Sequence, residues 1–128
     1  MNVLQLRGQL MTLFAISTWG RVIGYNFTGE ITHVGHSIYN NAKLNSGDRI
    51  SVELNMDASP RTLTFFINDQ EQTNFIFNIP ASVRIYVFLC LINSSFKVLK
   101  FQRLSAPKAM HKVGSKAWEW QKWWKKNK

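Results

Sequence analysis

Residues alternate between apolar and polar with a period of two through the middle of the chain. Ile50, Val52 and Leu54 alternate with Ser51, Glu53 and Asn55, and Leu63, Phe65 and Ile67 alternate with Thr62, Thr64 and Phe66. A period of two puts one face of a strand on a core and turns the other outward. Asp57, Ala58, Ser59 and Pro60 between the runs are turn residues, so the pair is expected to be a hairpin. Asn68-Asp69-Gln70-Glu71 then forms a polar turn leading into Phe75, Ile76 and Phe77 and ending at Pro80. Residues 83–92 are almost continuously apolar, broken by Arg84, with β-branched and aromatic content that predicts a strand buried on both faces.

Asn93-Ser94-Ser95 is a turn, and residues 96–104 form a last strand. Val98 and Leu99 are adjacent apolar residues in it, which predicts a bulge or twist there. Upstream, residues 3–7 and 10–17 are expected strands joined by Gly8-Gln9, and glycines 20, 24, 29, 35 and 47 punctuate a region of short strands and turns. Turn-separated strands with no helix in the body imply a β-sandwich or barrel.

Composition narrows the picture further. At 128 residues, 45% of them hydrophobic, the chain suits one domain with a real core. The longest apolar run, residues 85–92, falls far short of the roughly 20 residues that span a bilayer as a helix. A single cysteine, Cys90, makes no internal disulfide and reads as a small buried hydrophobe in an apolar strand. The formal net charge of +9 is uneven. Residues 1–104 hold nine basic and six acidic side chains, a net +3, whereas residues 105–128 hold seven lysines and Glu119, a net +6. Four of the five tryptophans, Trp118, Trp120, Trp123 and Trp124, share that last segment. The chain therefore divides into a body, 1–104, and a basic Trp-rich tail, 105–128.

Catalytic chemistry has little to work with. His33 and His36 are three apart in a turn-rich segment, the wrong spacing for one face of a strand, and no acid or cysteine lies beside them to complete a metal site. Asp48, Asp57 and Asp69 sit at strand ends and turns, where Asp bonds local backbone. No phosphate-binding or dinucleotide glycine pattern occurs. The expectation is a non-enzyme that needs no cofactor, metal or small-molecule substrate. Asn26-Phe27-Thr28 and Asn93-Ser94-Ser95 are glycosylation sequons that matter only in a secreted chain, and the segment from Arg7 to Ser17 imitates a signal peptide but reads equally as a strand. A cytoplasmic location is expected, with the lysine-rich end as an alternative nuclear address.

The run Gly47-Asp48-Arg49-Ile50-Ser51-Val52-Glu53-Leu54-Asn55-Met56-Asp57, followed by Arg61-Thr62-Leu63-Thr64-Phe65-Phe66-Ile67-Asn68-Asp69, resembles the core of a SPRY domain. The family's Asn-Gly is here Asn68-Asp69. Gly24-Tyr25 and Gly29-Glu30-Ile31-Thr32-His33-Val34-Gly35 resemble its Gly-Tyr, strand and His-x-Gly segment. The resemblance covers about residues 10–104, with the family's first strands missing or reduced to residues 3–7. It implies a concanavalin-like sandwich of two antiparallel sheets and a non-catalytic module that binds proteins or short peptides through rim loops, as an adaptor or targeting domain. The expected contact residues are Trp19, Arg21, Tyr25, Asn26, Tyr39, Leu91, Ile92, Asn93 and Ser94. A lectin is a third reading, because sandwiches of related shape bind sugars.

The tail is expected as a short helix over residues 113–128 or an irregular segment. At helical spacing Val113, Ala117, Trp120 and Trp124 share a face with Trp123 beside them, and Trp118 falls opposite with Lys122 and Lys125. Such a tail either docks its Trp face or lays Lys116, Trp118, Lys122, Trp123, Trp124 and Lys125 on an acidic membrane or nucleic acid.

Overall fold

The computed structural model describes residues 2–8, 11–18, 21–33, 36–89 and 95–120. Among them every regular element is a strand: β1 (Asn2–Gly8), β2 (Met11–Thr18), β3 (Arg21–Tyr25), β4 (Ile31–His33), β5 (His36–Ile38), β6 (Arg49–Asn55), β7 (Thr62–Ile67), β8 (Gln70–Phe77), β9 (Arg84–Leu89), β10 (Phe96–Arg103) and β11 (Lys116–Glu119). They build a β-sandwich of two sheets. One runs β10-β1-β6-β7-β8-β11 and the other β5-β4-β3-β2-β9. All neighbours are antiparallel except β8 and β11.

The β6–β7 hairpin pairs Ile50 with Ile67, Val52 with Phe65 and Leu54 with Leu63, as the alternation requires. These side chains meet Leu13, Ile23, Tyr25 and Ile31 of the facing sheet in the core. Asn68 and Asp69 both adopt positive φ, 49° and 67°, in the two-residue turn that follows β7. That conformation matches the strand twist and suits Asn and Asp as well as Gly. β1 and β2 are not neighbours: β1 lies in the six-stranded sheet and β2 in the five-stranded one. β1 is a central strand, between β10 and β6.

Three expectations are corrected. Residues 83–92 were expected to be buried on both faces, yet β9 is the edge of its sheet, with Tyr86 and Phe88 exposed. An apolar run records side chains, and an edge and a centre are told apart only by which strand comes next. The helix expected over 113–128 is absent from its described part, where a turn at 113–114 leads into β11; residues 121–128 lie outside the described residues. A strand's period of two sends Trp118 and Trp120 to the same side, where a helix would have opposed them. Trp120 is in the core and Trp118 packs against it. Finally, residue 104 is no boundary between body and tail, because β11 belongs to the six-stranded sheet and residues 108–111 hydrogen-bond to that sheet's outer face.

This cover explains an otherwise anomalous burial. Ser51, Glu53 and Thr64 occupy the outward positions of β6 and β7, and all are buried. The crossing segment lies over them as a strap. The Glu53 carboxylate accepts the backbone N–H groups of Lys108 (3.0 Å) and Ala109 (3.3 Å). The Glu71 carboxylate accepts those of Met110 (2.8 Å) and His111 (2.9 Å). The His111 ring stacks on Phe75 at 3.7 Å between centroids and 7° between planes.

Candidate functional site

The sequence-derived contact residues separate into three groups. Trp19, Leu91, Ile92, Asn93 and Ser94, and from the tail Lys122, Trp123, Trp124 and Lys125, lie outside the described residues, as does Cys90. Arg21 opens β3 opposite Thr18.

Tyr25 and Asn26 are structural. Tyr25 is wholly buried, its ring 4.8 Å from that of Phe65 and its hydroxyl donating to the Ala42 carbonyl at 2.6 Å. Burial pushes its phenol far above the usual range. Asn26 closes a turn: its side-chain oxygen accepts the N–H groups of Thr28 and Glu30, and its amide donates to the Glu30 carboxylate at 3.0 Å. An alternating strand that ends in Gly-Tyr-Asn leaves both faces open to the ring; the packing of the facing sheet decides that it points inward.

The third group is brought together. Tyr39, Lys116 and Trp118, proposed for two separate sites, line one cleft of about 370 Å³ with Ser37, Asn40 and Thr73. β11 carries Lys116 and Trp118 to the edge of β8, beside the chain that leaves β5. The Trp118 indole N–H donates to Asn74 Oδ1 at 3.0 Å, and Asn74 donates to Asn41 Oδ1 at 2.8 Å. Trp118 is thereby held half-buried as a wall of the cleft, while Tyr39 is exposed.

A larger feature was missed. β9 and β10, consecutive in the chain, end the two sheets on the same side of the sandwich. Between them opens a cleft of about 400 Å³ lined by Asn2, Leu4, Val52, Leu54, Val83, Arg84, Ile85 and Phe101. Its floor is the apolar inner face of β1 and β6. Phe96, Val98 and Phe101 pair with Gly8, Leu6 and Leu4 and so belong to that inner face, yet Phe101 is 76% and Val98 52% exposed. The register of β1 against β10 skips Leu99, which is the extra residue of a bulge between Val98 and Lys100, as the adjacent apolar pair predicts. The signal lay in the apolar content of residues 85–89 and 96–101; what it lacked was the sheet order that leaves them uncovered.

Residues 83–104 contain Arg84, Lys97, Lys100 and Arg103 and no acid. Of the basic residues in β9 and β10, Lys97 and Lys100 face the outer side of the six-stranded sheet, opposite Arg7 and Gln5, and Arg84 lines the cleft. Elsewhere, His33 is buried, donates from Nδ1 to the Val22 carbonyl at 2.9 Å and lies 5.2 Å from the Trp120 ring. Burial, with the charge of His36 adding to it, holds the His33 pKa below its usual value, against the opposing effect of the Val22 bond. Among the described residues no three His, Cys, Asp or Glu side chains gather in a metal-holding group, and no helix is long and apolar enough to cross a membrane. Comparison with protein-family models, curated proteins and solved structures finds no match to this chain.

Proposed function

We propose that the chain is a non-catalytic protein-binding module of SPRY type, an adaptor whose partner is a protein or peptide segment. The observation that carries this reading is the row of exposed Phe96, Val98 and Phe101 on the inner face of β10, beside the open edge of β9. Exposed apolar residues gathered in one place mark an interaction surface, whereas scattered ones do not. The β6–β7 motif supports the SPRY part of the proposal, and the joint between β9 and β10 falls where the resemblance puts a contact loop. The reading as an acidic-surface binder draws less support, because Trp118 and Trp120 are engaged in the sandwich rather than offered from it.

A displayed library of random peptides, panned on the intact chain, tests the proposal. Enrichment of a recognisable consensus that survives physiological salt is expected. If nothing is enriched while anionic vesicles or glycans are retained, the module reading is wrong.

A further inference from the structure

We propose that the outer edge of β9 receives an extended, acidic peptide as a sixth strand of the five-stranded sheet. The inference rests on the protein-binding reading above and specifies how the partner is held.

The sandwich has four sheet edges, and three are guarded. β5 has three residues and β11 four, too short to template a partner. β10 has eight, but the bulge at Leu99 interrupts its ladder and Lys97 and Lys100 punctuate it, both devices that blunt an edge. β9 has neither device. Its six residues pair with β2 in unbroken register from Leu89–Met11 to Arg84–Ile16, without proline, lysine or bulge, and among the described residues nothing pairs with its other side. Backbone N–H and C=O groups therefore line that side in a regular row.

The space beside β9 is also shaped for one strand. β9 shares its cleft with Leu4 of β1 and with Val52 and Leu54 of β6, so β10 projects beyond β9 as a ledge. An added strand would lie over that ledge and cover Phe96, Val98 and Phe101. A second copy of the sandwich docking β9 to β9 would bring its own six-stranded sheet into the space that β10 occupies. The ledge thus admits a single extended segment and obstructs a whole sandwich edge. Side chains of such a segment alternate: one set faces the ledge and is apolar, the other turns outward beside Arg84, Tyr86 and Phe88. Arg84 stands on that outward side and lines the cleft, so an acidic residue opposite it is favoured.

The test uses the intact chain and a fluorescent peptide of alternating glutamate and valine, with a lysine-valine control. Expected results are binding of the glutamate peptide alone, and weakening of about tenfold or more on Phe101→Arg or Val98→Asp. Both sites are more than half exposed, so the substitutions spare the fold. Two further peptides carry backbone N-methyl groups on every valine or on every glutamate. A strand uses the N–H groups of one alternate set toward its neighbour, so one methylated peptide should bind and the other should not. Equal binding of both, or indifference to both substitutions, overturns strand addition. If library peptides bind but are insensitive to Phe101→Arg, strand addition fails and the module reading stands; if no peptide binds, both fail.

Discussion

The Thr64 hydroxyl and His111 Nε2 share a hydrogen bond of 2.8 Å across 47 residues of sequence. Thr64 stands on the face of β7 that the alternation turns outward, and His111 belongs to the strap that covers it. The bond locates the join between two parts of the chain that composition separates: a nearly balanced body and a strongly basic tail.

The strap depends on two carboxylates more than on that bond. Glu53 is buried and meets two consecutive backbone N–H groups, so Glu53→Ala removes the acceptor and leaves both donors under the strap. A loss of about 2–4 kcal/mol is expected in urea unfolding. Glu53→Gln, which keeps one acceptor oxygen, should lose about half as much. Faster amide exchange at Lys108 and Ala109 should accompany both.

Trp120 joins the last described residues to the core. Trp120→Ala should cost about 3–5 kcal/mol, the range for a large buried ring. Its indole Nε1 is buried with no hydrogen-bond partner among the described residues. Trp120→Phe removes that polar group along with some volume and should stay within about 1 kcal/mol of the parent chain. A thermal melt that ranks Phe with Ala would mean that the indole N–H is satisfied.

Two glycines with nearly the same backbone should respond differently to alanine. Gly29 and Gly47 have φ of 86° and 87°. A β-carbon at Gly47 meets nothing within 4 Å, whereas at Gly29 it collides with the Asn41 carbonyl. Gly47→Ala should cost about 1 kcal/mol from backbone strain alone, and Gly29→Ala clearly more than about 2 kcal/mol. Equal losses in the melting midpoint would contradict the collision.

His33 should make stability depend on pH. Unfolded, it takes up a proton near its ordinary value of 6.5; folded, only at a lower pH. The unfolded state therefore binds more protons as pH falls through that interval, and stability, complete above about 6.5, declines. Melting midpoints should fall between about pH 7.5 and 5.5, and His33→Gln, which keeps a donor for the Val22 carbonyl, should flatten that fall. An unchanged slope in His33→Gln would assign the effect to another group.

The hairpin, its turn and the Leu99 bulge were legible along the chain because each depends on neighbours: a period of two, residues that tolerate positive φ, a doubled apolar position. Tyr25 and β9 were misread for a shared reason. Whether Tyr25 is a contact or a core ring depends on Phe65 and Ala42, residues 17 or more positions away, and whether residues 83–92 are central or marginal depends on which strand pairs beyond them.

Local chemistry alone therefore settles a β body with alternating strands, turn positions and an uneven charge, but not the strand β11 in the tail. Tertiary structure decides sheet order, and with it everything about exposure. Alternation says which side chains share a face but not what lies against that face. The outward face of β6 and β7 proved to be a second interior beneath the strap, and the apolar inner face of β10 proved to be surface. Each follows from a long-range partner that was present in one case and missing in the other.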